Sequence, residues 1–504
     1  MAKYHSIISR LDFMKALGLG AAGVGTTATA VTSFADLDDL LSNGQALDQS
    51  AKNPWYVKNR ELNNPTTEID WSLVSGMNGQ YSLLGNEGAA YTFGSETMNA
   101  FSALSTENHL RGVQNKNPGL LNRDFALREA SLTVCSSAPY TSSAITFSWS
   151  NFGFPTDYTQ QPGLGKYTGT PEENSKMLRA AATFLGAANV GFGEFDRKIC
   201  NTAIAREYRQ IVYEDVEASY HTTDKMVIPT RNKLYTIAIQ IAMSKELFRH
   251  DSGNDGSGSG YMRHSANVAR YRQWTALYGG IMQFLHYLGY DAFGYTSYAF
   301  GLIPSGAEAM LTGLAEESRN TGMLLSPRWG SVSGYFSIVT DMPVAPTPPV
   351  DAGMHRFCRT CAKCAETCPT SSITKDKETT YERFDSNLYK YGKGKEVRWL
   401  VPGKKSFVWD GTTCREAWAI LPGGCANCMG NCTFNTNNGA GIHDFVKGTV
   451  ATTSLFNGFF ARADTFYGFG LTPDDKKEEW WDMSLPTFGY NTNLTAQDGA
   501  YSKR

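Results

Sequence analysis

The chain has little that would tie it to nucleic acid, to nucleotides or to a bilayer. Its 46 Lys and Arg are offset by 48 Asp and Glu, a net charge of −2, and no long basic run occurs that could grip phosphates. No nucleic-acid partner is expected. No GxGxxG fingerprint and no P-loop is present, so neither a dinucleotide nor an ATP site is expected. Beyond residue 35 no apolar stretch is long enough to cross a membrane, so the mature protein should be soluble or peripheral. Cysteine is scarce until late in the chain. Of ten, only Cys135 and Cys200 precede Cys358, and both are expected to be buried structural thiols. What remains is ordinary for a globular protein, with 41% hydrophobic and 19% charged residues over a 504-residue length that allows more than one domain.

The other eight cysteines are concentrated. Cys358-Arg-Thr-Cys361-Ala-Lys-Cys364-Ala-Glu-Thr-Cys368-Pro369 has the spacing of a bacterial-type [4Fe–4S] ligand run. In such a run three thiolates wrap one cluster and the fourth reaches toward a second, so a second cysteine group should follow. It does, as Cys414 and then Cys425-Ala-Asn-Cys428-Met-Gly-Asn-Cys432. By ferredoxin logic Cys358, Cys361, Cys364 and Cys432 hold one cluster, and Cys414, Cys425, Cys428 and Cys368 the other. Disulfides or two zinc sites are the alternatives. The triple run with a trailing Cys-Pro leaves odd ligands for zinc. Closely spaced cysteines on a tight loop bridge poorly, and a chain this long needs no staples. The region reads as an electron carrier.

The remainder organises around it. Residues 1–35 have the layout of an export signal, and Arg10-Leu11-Asp12-Phe13-Met14-Lys15 resembles a twin-arginine motif with Leu11 in place of the second arginine. That route exports proteins already folded around their cofactors. Residues 36–165 form an N-terminal unit with a short helix at Asp36 and loop-like stretches such as Tyr140 to Pro155. Thr170-Pro171-Glu172-Glu173 starts a helix with a capping box and a proline at its first position. Strands are expected at Asn189 onward and at Leu234–Met243, and a helix at Asn267–Tyr287 followed by another strand. Helix and strand alternate, which argues for α/β layers. Ala345-Pro-Thr-Pro-Pro-Val350 is a stiff connection to the cysteine region, and Lys375–Arg398 reads as a solvated insertion.

Taken together, these features resemble the corrinoid-dependent reductive dehalogenases of organohalide-respiring bacteria, most closely those acting on chlorinated ethenes. The resemblance is carried by the Arg10–Lys15 signal, Gly169-Thr-Pro-Glu-Glu-Asn174, Leu288-Gly-Tyr290, Asp341-Met-Pro-Val-Ala-Pro346, the Cys358–Pro369 run, Val450-Ala-Thr-Thr-Ser-Leu-Phe-Asn-Gly-Phe-Phe460 and Trp480-Trp481. It implies an α/β (α+β) fold in which residues 166–344 form a nitroreductase-like domain burying a corrinoid, residues 345–460 a ferredoxin-like domain with two [4Fe–4S] clusters, and residues 461–504 a tail packed on the core. The chain lacks the Asp-x-His-x-x-Gly motif by which a histidine displaces the corrinoid's lower base, as the family does. The resemblance also implies a tyrosine that delivers a proton to the carbon losing halide, with a neighbouring cation lowering its pKa. Tyr271 and Arg319 stand at the matching places. The implied partners are a small organohalide, a respiratory electron donor and a small hydrophobic membrane-anchor protein, at the outer face of the cytoplasmic membrane. Two rivals share the cysteine pattern: epoxyqueuosine reductase, and a non-catalytic two-cluster electron-transfer subunit.

Overall fold

The computed structural model of the chain describes residues 53–74, 79–128, 166–195, 210–217, 220–221, 225–231, 233–253, 256, 258–293, 303–320, 323–435, 441–466 and 470–482. The export signal, the Asp36 helix, the Tyr140–Pro155 stretch, Cys135 and Cys200 lie outside these residues.

The segment Leu234–Ala242 is a β-branched, mostly apolar run in which Ile237, Ile239 and Ile241 alternate with Thr236, Ala238 and Gln240. Every residue from Thr236 to Ala242 is buried. This strand is central in a four-stranded sheet made of β1 (Asn189–Phe195), β2 (Leu234–Ala242), β3 (Ala292–Phe293) and β4 (Ser333–Thr340), in the order β1-β2-β4-β3. All three pairings are antiparallel. The alternation of helix and strand therefore yields a mixed α/β fold whose main sheet contains no parallel crossover. The chain between β2 and β4 is long enough, with helices and the edge strand β3 along it, to return in the opposite direction.

The helices that position the site are α1 (Ser95–Gln114), α2 (Pro171–Phe184), α3 (Tyr261–Tyr287), α4 (Ser305–Leu311), α5 (Met354–Cys358), α6 (Lys363–Glu366), α7 (Gly411–Ile420) and α8 (Asn427–Gly430). The start of α2 is fixed by a reciprocal cap, in which Thr170 Oγ1 accepts from Glu173 N at 3.2 Å and Glu173 Oε2 accepts from Thr170 N at 2.8 Å. One face of the sheet, with Val190, Phe192, Ile237, Ile239, Ile241, Phe336 and Ile338, is sealed by Leu178 and Ala182 of α2 and by Trp274, Leu277, Ile281 and Leu285 of α3. The other face is covered by α4, which comes so close that a Cβ on Gly191 would sit 2.6 Å from Thr312 O. The result is three layers.

Two expectations change, and a region left unassigned gains its structure. Helix α3 begins at Tyr261, six residues before the expected Asn267, because its first turn is tied to the cysteine region: Met262 packs with Phe248 and Met429, and Arg263 Nη2 donates to Gly423 O at 2.7 Å. Residues 86–114, without a readable pattern, hold the helix Asn86–Phe93 and α1. Those helices meet the Lys375–Arg398 segment, which is not simply solvated. Tyr389 and Val397 are buried with Leu83, Phe93, Phe101 and Trp399, while the charges between them face outward.

Candidate functional site

The cysteine loops sit where β2 ends and β4 begins. The loop before β4 is bound to them by Ser331, whose Oγ donates to Met429 O at 2.9 Å and whose N donates to Asn435 Oδ1 at 3.0 Å. On the β2 side, Gly430 lies so close to Phe248 that a Cβ would stand 2.0 Å from its carbonyl oxygen. Any side chain there would push the loop away.

Within these loops the thiols fall into two sets. Cys358, Cys361, Cys364 and Cys432 line one small cavity together with Ser318, Asn320, Phe357, Lys363, Thr433 and Phe434. Burial pushes the Cys358 and Cys364 thiols up, and Cys361 and Cys432 add like-charge repulsion to both. Cys432 is pushed up to about 12, mainly by burial. In the second set, burial pushes Cys414 up to about 12 with Cys368 adding to the effect. Cys425 is raised by burial, then by Asp251, with Cys414 also contributing, and Cys428 is raised by burial and by Cys425, Cys414 and Cys368. Cys428 also feels Cys364, so the sets adjoin. Cys368 and Cys432 thus each stand with the group to which they do not belong in sequence. All eight cysteines are unbridged. Among the described residues, no three His, Cys, Asp or Glu are gathered as closely as the ligands of a single metal ion.

Arg319 does not stand at the Tyr271 hydroxyl. It is buried, and every nitrogen of its guanidinium is committed to main-chain carbonyls: Nε to Cys358 O and Cys361 O at 3.0 and 3.1 Å, Nη1 to Thr374 O and Asp376 O at 2.7 and 2.6 Å, and Nη2 to Cys358 O at 2.8 Å. The ring of Phe407 supports it, with the guanidinium carbon 4.4 Å from the ring centroid. A planar fork with five donors suits this clamp as no lysine could. Asn320, next in sequence, donates to Cys428 O at 3.3 Å.

The cation at Tyr271 is Arg270, whose Nη2 donates to the tyrosine Oη at 2.7 Å and whose guanidinium carbon lies 4.5 Å from the ring centroid. Tyr271 is half-buried against the core and meets Phe336 edge-on at 6.0 Å. Arg270 curls over the start of β4, where a Cβ on Gly334 would lie 2.7 Å from Arg270 Cδ. The pair is therefore at the same end of the sheet as the cysteines. Consecutive helical residues do not face each other, so no spacing rule would have paired them. Sequence reasoning also missed Asp251. This fully buried carboxylate accepts from Ala426 N between Cys425 and Cys428, and its Oδ1 lies 3.5 Å from Arg263 Nε.

A cavity of about 530 Å³ lies at the opposite end of the sheet, lined by Phe195, Leu234, Glu308, Thr312 and Thr347. Burial pushes the Glu308 carboxyl up to about 7, against a hydrogen bond from Thr236 that lowers it.

Residues 52–206 and 198–344 match the reductive dehalogenase subunit family, and the chain belongs to that family. It is an oxidoreductase. It is 28% identical to the chloroethene reductive dehalogenase of Dehalococcoides mccartyi strain VS over 97% of this chain and 99% of that one. It is 29% identical to the trichloroethene reductive dehalogenase of Dehalococcoides mccartyi strain 195 over 98% of this chain and 99% of that one. Among solved structures, a reductive dehalogenase described for B12-dependent dehalogenation superposes with a TM-score of 0.57 at 16% identity, covering 86% of this chain and 51% of the other. A catabolic reductive dehalogenase in complex with 3-bromo-4-hydroxybenzoic acid gives 0.54 at 17% identity, covering 82% and 49%. The chain spans about half the length of those solved chains, and the likeness is one of fold.

Proposed function

We propose that the protein removes halide from a chlorinated ethene, using electrons delivered through two [4Fe–4S] clusters to a corrinoid. The observation that carries this reading is the sorting of eight unbridged thiols into two adjoining sets of four with crossed membership. Thiolates at the corners of a four-iron cube stand further apart than four ligands of one ion, which fits these open sets. Thr433 Oγ1, buried beside the first set without a partner, also suits a sulfide-rich neighbour. For the corrinoid, the fit lies in a buried polar atom beside Tyr271 at the cysteine end of the sheet. Arg270 Nε has no hydrogen-bond partner, and an amide-fringed macrocycle supplies one. If bound, that group would supply the reducing chemistry needed at the carbon–halogen bond.

The chain's own residues do the rest. Tyr271 holds the proton to be delivered to the carbon, and Arg270, in place of Arg319, holds the phenol oxygen in position and stabilises negative charge left on it. Arg319 holds the first cysteine loop. In domain terms, residues 166–344 act as a nitroreductase-like unit, 345–460 as a ferredoxin-like unit and 461–504 as a tail on the core. Residues 1–35 direct export by a twin-arginine-like route to the outer face of the cytoplasmic membrane, where a small hydrophobic anchor protein and a respiratory electron donor are the partners. Family membership, with chlorinated-ethene enzymes matched along nearly the whole chain, favours this over the epoxyqueuosine reductase and electron-carrier readings.

The test is anaerobic reconstitution with iron, sulfide and a corrinoid, followed by assays on chlorinated ethenes, alkanes and aromatics with reduced viologen as donor. Chloride release from an ethene supports the reading. A chain that loads about eight irons but takes up no corrinoid and releases no halide refutes it.

A further inference from the structure

The two cysteine sets differ in the fixed charge built around them. At the first, the Arg319 guanidinium lies on the carbonyls of Cys358 and Cys361, and Lys363 shares the cavity wall. Glu366, between Cys364 and Cys368, is exposed, and the carboxylates nearest Arg319 in sequence, Glu316 and Glu317, are committed to other groups. Glu317 pairs with Lys404 at 2.5 Å, and Glu316 accepts from Ala352 N, Met354 N and His355 N. At the second set each cation comes with a carboxylate. Asp251 sits by Arg263 and reaches Ala426 N, and Asp410, which caps α7 by accepting from Thr412 N and Thr413 N, stands near Cys414 alongside Arg415. A buried cation is screened little by solvent and stabilises added negative charge nearby.

We propose that Arg319, beyond clamping its loop, makes the cluster at Cys358, Cys361, Cys364 and Cys432 the more readily reduced of the two, so that electrons come to rest there. The inference builds on the iron–sulfur reading above. The step is a one-electron transfer: the cluster at Cys368, Cys414, Cys425 and Cys428 loses the electron that the other gains. No bond or proton changes hands, and a low-potential one-electron donor such as a reduced viologen supplies the charge. Arg319 is in this sense a positioning residue with an electrostatic consequence.

The experiment is an anaerobic redox titration of the reconstituted full chain, followed by electron paramagnetic resonance, after iron and sulfide have been counted. Wild type should show two separate one-electron couples, and Cys432→Ser, which dismantles the first set, should delete the higher one. Arg319→Gln should lower that higher couple, cutting its reduced-to-oxidised ratio at fixed poise about tenfold, or about 59 mV. Arg319→Lys, which keeps the charge and loses the fork, should leave it near wild type. Asp251→Asn should raise the lower couple, a readout independent of whether Arg319→Gln takes up iron. Coincident couples in wild type, equal shifts in Arg319→Gln and Arg319→Lys, or no rise in Asp251→Asn would each overturn the proposal. Failure to load clusters at all would instead count against the proposed function.

Discussion

Arg270 Nη2 lies 2.7 Å from the hydroxyl of Tyr271, its immediate neighbour in the chain. Two consecutive residues of a helix point about 100° apart, so the arginine must fold back over the helix to make this bond. It does so in the space left by Gly334, which a Cβ would narrow to 2.7 Å from Arg270 Cδ.

Replacing Tyr271 by Phe should remove the proton donor and reduce kcat by roughly 10²–10⁴. Arg270→Gln should reduce it less. Gly334→Val should resemble Arg270→Gln in rate, because the added side chain displaces the guanidinium and leaves the tyrosine in place. Steady-state chloride release by the three reconstituted variants, with circular dichroism to establish folding, distinguishes these outcomes.

The crossed thiol sets make a second prediction. Cys432 is in the second sequence group but shares the cavity of Cys358, Cys361 and Cys364. Cys432→Ser should therefore disable the first cluster, and Cys368→Ser the second. Each should lower iron content from about eight to about four per chain, with different resonance signatures left behind. If either serine variant perturbs the cluster of its own sequence group, the crossing is wrong.

Glu308 should make stability depend on pH. Its folded carboxyl titrates at about 7 against 4.5 for the ordinary side chain, the cause being burial. Below the ordinary value both states hold the proton and the group contributes nothing. Between that value and about 7 only the folded state keeps it, so stability falls as pH rises, and the full loss is present above. The loss should be on the order of 3 kcal/mol at most. Denaturant titrations at pH 5 and pH 8 should show this difference shrink in Glu308→Gln, since the amide cannot ionise.

At the start of α2, Thr170→Ala removes the oxygen that accepts from Glu173 N. The variant should lose about 1 kcal/mol, with little effect on activity, measured as a lower denaturation midpoint. An unchanged midpoint would mean that the packing of Leu178 and Ala182 alone holds the helix.

Short-range features were legible before any folding was considered. The spacing from Cys358 to Pro369 pointed to iron–sulfur chemistry, because cluster ligands on one loop must lie within a few residues of each other. Thr170, Pro171 and Glu173 marked a helix start for a similar reason: a cap acts over three residues. The mostly apolar, β-branched run from Leu234 identified a central strand, and the fold buries both of its faces. Other features depended on groups distant in the chain. The direction of β4 beside β2, the two helices within 86–114 and the burial of Tyr389 against Phe93 and Phe101 follow from packing between separate segments. The choice of cation at Tyr271 belongs here too. Arg319 and Arg270 are equally charged, and only the fold commits one to the carbonyls of Cys358 and Cys361 and the other to the phenol. Residue type and spacing determine what chemistry a site can hold; which charge faces which group is decided by long-range packing, since a buried cation goes where its hydrogen bonds can be satisfied.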